Sequence, residues 1–310
     1  LKIIVDREKE ISAFKSEPYW EVIALSNNLE FKHPKDIFKK SELDKFKDIK
    51  EADAETKDTE ETINPPTPFD LTSLQREAYR HHGISPSQTL SIAQKLYLDG
   101  LISYPRTSSQ KIPDSIQPKN ILKALEKHFP QYTKIATRTK PIEGKKSDQA
   151  HPSIFPTGDF RIMEGFEQKL YNLIVKRFIS AFSPDALTAN RRIKLTAKEK
   201  DEEGKPITFT TSGLKVLEKG WTQVYPAKME ERDIPKINGN VKIDEIKFVD
   251  KETQPPKRYT PTSLITILEK KNLGTKTTRS LIIETLFNRG YLEGQSIKAT
   301  PLGIRLIETL

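Results

Sequence analysis

Strand-like segments stand on both sides of a long helical block, and this layout constrains the fold of the 310-residue chain more than any other feature. Residues 20–33 (WEVIALSNNLEFKH) keep a short period around a turn-like Ser-Asn-Asn, which predicts a β-hairpin. Residues 187–250 return to strand character in RRIKLTA, PITFTTS, LKVLEKGWTQVYP and VKIDEIKF. Each is rich in β-branched residues and bounded by Gly, Pro or charge. Between these stretches, from Phe69 to Phe182, the apolar residues recur at helical spacing. The pattern implies an α+β multidomain chain: one β domain, 19–63 with 188–256, interrupted by a helical domain, 64–187. Pro65, Pro66 and Pro68 mark the crossing. The acidic low-complexity run at 51–62, EADAETKDTEET, is expected as a loop or exposed strand connection.

Inside the helical block, LTSLQREAYRHH (71–82) reads as one helix closed by Gly83. Ser85 caps the next, with Pro86 first and Gln88 three residues on, the pattern of a capping box. Leu90, Ala93, Leu96 and Tyr97 form its expected inner face, and Gly100 ends it with a left-handed cap. Residues 102–104 then leave in extended form, so Tyr104 stands just past a rigid element. Further helices are expected over 116–128 and 165–182, and residues 1–14 read as the end of an amphipathic helix. In residues 257–310, Thr260-Pro261 starts a helix that Gly274 ends. Thr275 or Thr277 starts a second, with Leu281, Ile282, Leu286 and Phe287 apolar and Gly290 at its end. ATPLGIRLIETL begins a third, and the whole is winged-helix-like.

The segment with the most chemical content is 101–113, LISYPRTSSQKIP. A tyrosine hydroxyl is a poor nucleophile near neutral pH, because its reference pKa is about 10. A guanidinium fixed nearby, here Arg106, can hold a phosphate and stabilise the charge that develops when the phenolate oxygen attacks it. That pairing suits a tyrosine that joins itself to a DNA phosphate; an arbitrary Tyr-x-Arg is more often a buried Tyr at a strand edge. The overall charge of +9 fits a polyanionic partner. No cysteine is present, which excludes disulfides, thiolate metal sites and a Cys nucleophile. No apolar run is long enough to span a bilayer, and no signal peptide is visible. The chain begins with Leu and ends on an apolar helical run, so both ends look cut from something longer.

LISYPRTSSQKIP resembles the active-site segment of the type IA DNA topoisomerases, whose motif reads roughly Tyr-x-Arg-Thr-(Asp or Ser)-Ser. Three more segments match the family in order: VDREKEISAF at 5–14, AHPSIFPTG at 150–158, and PPKRYTPTSLITILEKKNLGTKTTRSLIIETLFNRGYL at 255–292. The likeness covers nearly the whole chain, and Pro105 with Ser108-Ser109-Gln110 looks most like the archaeal members. The bacterial pattern has an acid where Ser108 stands.

The resemblance implies parts of a torus: a helical tyrosine domain inserted in a two-part β hinge, and a winged-helix-like, DNA-binding domain at 257–310 with residues 1–18 attached. It implies ATP-independent relaxation of negatively supercoiled DNA through a transient 5′-phosphotyrosine on Tyr104, with Arg106 on the scissile phosphate. His151 is implied near the tyrosine, to bind phosphate or to help proton movement. Thr107 and Ser108 are expected to orient the loop, with direct phosphate contact open. Lys276, Thr277 and Thr278, at a helix start, and Arg289 are candidate DNA contacts; the threonines read almost as well as plain helix caps.

Magnesium is implied for the family, held by a Toprim domain with an Asp-x-Asp-x-Glu cluster. No such cluster occurs here, so no metal ligand is assigned, and the Toprim part and single-stranded or negatively supercoiled DNA are the expected partners, with no membrane. The implied location is cytoplasmic, with the nucleoid. Trp221 and Tyr259 are expected to pack in cores rather than stack on bases, and His81 and His82 to lie on the surface. The rival readings are the topoisomerase half of a reverse gyrase and a non-catalytic DNA-binding module.

Overall fold

A computed structural model describes residues 1–309. Its frame is an antiparallel sheet with strand order β6-β3-β4-β5-β2-β1-β7. The strands are β1 (Pro18–Ser26), β2 (Leu29–Lys32), β3 (Glu51–Ile63), β4 (Ala186–Lys200), β5 (Pro206–Glu218), β6 (Gly239–Lys242) and β7 (Glu245–Glu252). β1 and β2 form the expected hairpin. Asn27 (φ 49°) and Asn28 (φ 60°) make its tight turn, in the left-handed region that Asn tolerates.

The acidic run is not a loop. It is β3, paired from Ala52 to Ile63 with β4 and at its start with β6. Two facts stabilise it. Ala52 and Ala54 alternate into the sheet core, and the facing strand is basic, so Glu55 lies opposite Lys194 and Asp58 opposite Arg191. Arg191 donates to both Asp58 oxygens, at 2.7 and 3.0 Å. β3 leaves the sheet and β4 returns side by side, Ile63 opposite Ala186. Everything helical between them therefore hangs from one ribbon.

That helical part contains α3 (Leu71–His82), α4 (Pro86–Leu98), α5 (Pro118–Leu125), α6 (Pro130–Thr133) and α7 (Gly165–Ala181); α1 (Lys2–Ala13) and α2 (Asp44–Lys47) lie outside it. The caps follow the sequence. Asp70 accepts from the Ser73 amide at 2.7 Å and Gly83 takes φ 68° behind α3. Ser85 and Gln88 close a reciprocal box on α4, and Gly100 turns left-handed after it at φ 74°. The expected helix over 116–128 is shorter, because Pro130 starts α6 as a separate turn. Leu74, Ala93, Leu96, Leu170, Ile174 and Phe178 are among the buried residues of this part's core. Tyr97, expected on the inner face, is 38% exposed instead.

The segment LKVLEKGWTQVYP is only half strand. β5 ends at Glu218, and residues 220–223 form a 3-10 turn. Gly220 (φ 47°) allows this, since a Cβ there would lie 2.1 Å from the Asp185 carbonyl oxygen. The turn buries Trp221 and Tyr225 in the helical core, and the Trp221 indole donates to the Ile63 carbonyl at 2.9 Å. A loop after the sheet thus clamps the top of the ribbon.

The remaining elements are α8 (Pro261–Lys270), α9 (Thr278–Asn288), the hairpin of β8 (Leu292–Glu293) with β9 (Lys298–Ala299), and α10 (Pro301–Glu308). Ile4 and Val5 of α1 are buried with Leu264, Ile265, Ile283 and Ile297 in one cluster. Arg258 clasps Glu8 with two bonds, at 2.8 and 3.0 Å, and the Arg7 guanidinium sits over the Tyr259 ring at 4.6 Å. α9 turns a different face inward than its apolar residues suggest. Ser280 and Ile283 are buried, while Leu281 and Ile282 are 60% and 44% exposed. The inner stripe runs through a small polar residue that a hydrophobic count passes over.

Candidate active site

Two extended segments lie side by side behind α4, and backbone bonds zip them together. The Ser103 amide donates to the Phe155 carbonyl at 2.9 Å, and the Thr157 amide to the Leu101 carbonyl at 3.0 Å. The Ser153 amide donates to the Lys111 carbonyl at 2.9 Å. Serine and threonine hydroxyls fill the gaps in this ladder. Ser103 Oγ donates to the Ser153 carbonyl at 3.1 Å and accepts from the Phe155 amide at 3.0 Å. Thr107 is buried, its hydroxyl donating to the His151 carbonyl at 3.3 Å and accepting from the Ser109 amide at 3.0 Å. Thr107 is therefore turned inward, where it orients the loop through backbone bonds.

The zipper carries Tyr104 and His151 to the same place, with ring centroids 4.6 Å apart. Tyr97 meets the Tyr104 ring edge-on at 5.3 Å. The nucleophile candidate is thus half-buried between an imidazole and a second phenol. Periodicity assigned Tyr97 to the core, and only the close turn after Gly100 folds the tyrosine back over α4.

Arg106 is half-buried. Among the described residues its side chain forms no hydrogen bond or ion pair, and its Nε is fully buried without a partner. A buried donor left unpaired costs about 1–3 kcal/mol, and the terminal guanidinium nitrogens, which also hold no partner among the described residues, can take a phosphate or carboxylate.

Ser108 faces the other way. Its amide and hydroxyl both reach Asp148 Oδ2, at 3.5 and 3.2 Å. Asp148 Oδ1 accepts from the Ala150 amide at 3.1 Å, and the Lys276 ammonium donates to Oδ2. The Lys276 bond first, then the Ala150 amide, hold this carboxyl well below the usual carboxylate range; burial pushes the other way by less than either, and the Ser108 amide adds a smaller pull. Lys276 is thereby brought to the tyrosine loop from the start of α9. Thr278 serves as the helix cap partner, exchanging bonds with Thr275 at 2.9 and 3.2 Å. Thr277 is half-buried beside it. Arg289 is exposed at the other end of α9, about 16 Å away at 1.5 Å per residue; the structure does not bring it to this cluster.

Asp148 was not singled out by sequence. The only signal was an acid three residues before His151, on a segment with no regular period. The two adjacent histidines differ from expectation: His81 is half-buried against the Tyr225 ring, with Nε2 3.3 Å from Glu77. Among the described residues no group of three or more His, Cys, Asp or Glu side chains is placed to hold a metal ion. The residues present do not form a magnesium site.

The two zipped loops thus bring together a tyrosine, an imidazole and a guanidinium without a partner. The DNA topoisomerase family model matches residues 1–310, and the chain belongs to that family. It is 44% identical over 325 residues to DNA topoisomerase 1 of Methanothermobacter thermautotrophicus, covering 100% of this chain and 44% of the relative. To DNA topoisomerase 1 of Pyrococcus horikoshii it is 42% identical over 333 residues, covering 100% and 47%. The fold is similar to full-length topoisomerase I from Thermotoga maritima, with TM-score 0.77 and 27% identity, covering 100% of this chain and 54% of that one. The chain thus spans about half the length of the curated relatives it matches.

Proposed function

We propose that this chain is the tyrosine-bearing part of a type IA DNA topoisomerase that relaxes negatively supercoiled DNA without ATP. The observation that carries this reading is Arg106, a half-buried guanidinium without a partner, two residues from a tyrosine whose ring lies 4.6 Å from an imidazole. Tyr104 Oη attacks a phosphodiester of single-stranded DNA. A bond forms from Oη to phosphorus, the bond from phosphorus to the 3′ oxygen breaks, and the 3′ oxygen gains a proton as a hydroxyl. The energy of the broken ester is kept in the 5′-phosphotyrosine, so attack by the same hydroxyl reseals the strand. Arg106 holds the scissile phosphate and stabilises its added charge. His151 takes the phenol proton, or in its charged form binds phosphate.

The sheet with its β3–β4 ribbon is assigned as the hinge, the helical part as the tyrosine domain, and α1 with α8–α10 as the winged-helix-like, DNA-binding part. Lys276, Thr277 and Arg289 are assigned to DNA contact there, and Thr107, Ser108 and Thr278 to holding their loops. Magnesium would be held by a Toprim domain supplied with the chain. No helix among the described residues is long and apolar enough to cross a membrane.

The test is covalent trapping. The chain, joined by a Toprim domain and magnesium, is mixed with single-stranded DNA labelled on the 3′ side of the cut. A labelled protein band is expected, and it disappears in Tyr104→Phe while DNA binding is kept. An adduct that persists in that variant rules the assignment out.

A further inference from the structure

Asp148 joins the tyrosine loop, its own segment and the start of α9. Through Ser108 it holds the loop that carries Tyr104 and Arg106, with bonds to the amide and the hydroxyl at 3.5 and 3.2 Å. Through the Ala150 amide, at 3.1 Å, it fixes the residue just before His151. Through the Lys276 ammonium it reaches the start of α9, in the neighbouring part of the molecule. Its side chain is only 12% exposed. A second contact of the same kind runs beside it: Lys146 donates to Glu269 of α8 at 2.8 Å and to Asp70, the α3 cap, at 3.5 Å. A cleft of about 360 Å³ opens between these two contacts, with Ser108 and Lys276 on its walls.

From this geometry we infer that Asp148 is a positioning residue for the cleavage reaction, whose carboxylate sets the spacing of the Tyr104 and His151 loops when Lys276 closes onto it. The inference rests on the reading of Tyr104 as the nucleophile. Its physical basis is that one anion satisfies donors from both loops, so neither loop can shift without breaking a charge-assisted bond. The ammonium of Lys276 neutralises that anion from across the seam. The backbone ladder holds the two loops together in any case; what closure adds is the Lys276 counter-charge that fixes the Asp148 carboxylate, and with it the Ser108 end of the tyrosine loop. Ser108 is the element that reports the carboxylate's position to the tyrosine loop; Asp148 itself touches neither Tyr104 nor Arg106.

The test uses Asp148→Asn, Asp148→Glu, Lys276→Met and the double variant Asp148→Asn with Lys276→Met, each supplied with the Toprim domain. At saturating single-stranded DNA, Asp148→Asn is expected to lower adduct formation about 10–100-fold, as misplaced reacting groups do, with binding affinity changed less than about threefold. Asp148→Glu, which keeps the charge, restores part of the loss. The double variant is no worse than the worse single one, because both act through one bond.

If Asp148 merely competes with phosphate for Lys276, Asp148→Asn will bind DNA more tightly and cleave normally, which overturns the inference. Losses that multiply in the double variant overturn it too, as does adduct formation that returns fully on cooling. A second measurement needs neither DNA nor chemistry: hydrogen exchange at the Ser108 and Ala150 amides is expected to speed up in Asp148→Asn. Unchanged protection of both amides sinks the joint itself, whereas a native chain that forms no adduct sinks the reading of Tyr104.

Discussion

Two joints meet at the tyrosine loop, and they are made of different bonds. Inside the helical part, residues 101–111 and 151–157 are held by backbone amides and carbonyls, with buried hydroxyls completing the ladder. Between the helical part and α8–α9, the polar links are mostly charged side chains, Lys276 to Asp148 and Lys146 to Glu269, with the Thr72 hydroxyl also on Glu269. The first kind of joint leaves buried polar groups unpaired if it opens, so it stays shut. The second has charged groups that water and salt can take over as the parts separate, cheaply at the half-exposed Lys146 pair and at more cost at the shielded Asp148. The molecule thus places its rigidity around Tyr104 and His151 and its separability at the seam. That suits a site whose chemistry needs fixed groups and whose proposed strand passage needs the helical part to lift away on the β3–β4 ribbon.

The largest expected effect falls on the rigid side. Arg106→Ala is expected to lower cleavage at saturating DNA by about 10²–10³-fold, the range for losing one donor to a developing anion, with a much smaller effect on binding. Its melting temperature is expected to hold or rise, because a buried Nε without a partner is removed. Equal losses of binding and cleavage would make Arg106 an ordinary DNA contact. A clear drop in melting temperature would mean that it belongs to the zipper.

Next comes the zipper itself. Thr107→Val keeps the shape but strips the hydroxyl that links the His151 carbonyl and the Ser109 amide. Two buried groups lose their partner, so a destabilisation of about 1–3 kcal/mol is expected in chemical denaturation. A value near zero would show that the ladder does not depend on its hydroxyl rungs, and the contrast between the joints would lose half its basis.

The parts of this arrangement that sequence could reveal are those governed by local chemistry. The Ser85–Gln88 box, the turn at Asn27–Asn28 and the glycine stop at Gly83 are each decided within a few residues. The tyrosine segment carries its family resemblance for a similar reason: its residue types sit close together. What escaped depends on distant partners. β3 looks like solvated acid until Arg191 and Lys194 lie across from it. Tyr97 fits a helical inner stripe until the chain after Gly100 brings Tyr104 over it. Asp148 stands in an irregular segment, and nothing local says that Ser108 and Lys276 converge on it from 40 and 128 residues away. Long-range charge pairing was therefore the main blind spot, and it supplies the seam's strongest polar contacts beside the packing of α3 on α8 and α4 on α9.

The seam can be probed by acid. Asp148 has its pKa depressed in the folded chain, by Lys276 first and the two amides after it. A depressed carboxyl contributes stability above its unfolded value of about 4 and loses it as pH falls towards the folded value. Glu269 is also lowered: burial pushes it up, but the Lys146 and Thr72 bonds with the charges of Lys146 and Arg279 together outweigh that, so it adds to the same acid limb. Melting temperature is expected to fall on going below about pH 4, and less steeply in Asp148→Asn than in the native chain. Identical slopes in the two would mean that the carboxyl titrates normally and that the seam is held by something else.

The smallest expected effect belongs to Lys146→Met. Its Nζ lies 2.8 Å from Glu269 and 3.5 Å from Asp70, but the side chain is 49% exposed and water screens both contacts. Asp70 also keeps its Ser73 and Gln110 bonds, at 2.7 and 3.2 Å, so the α3 cap survives without the lysine. A change under about 1 kcal/mol is expected, shrinking further as salt is raised. A substitution so mild is informative because the zipper's own rungs are backbone bonds and hydroxyls rather than screened charges. If Lys146→Met instead cost as much as Thr107→Val, and did so at high salt, the seam would be a desolvated interface rather than a separable one. The helical part could then not lift at that edge without a loss comparable to opening its own core.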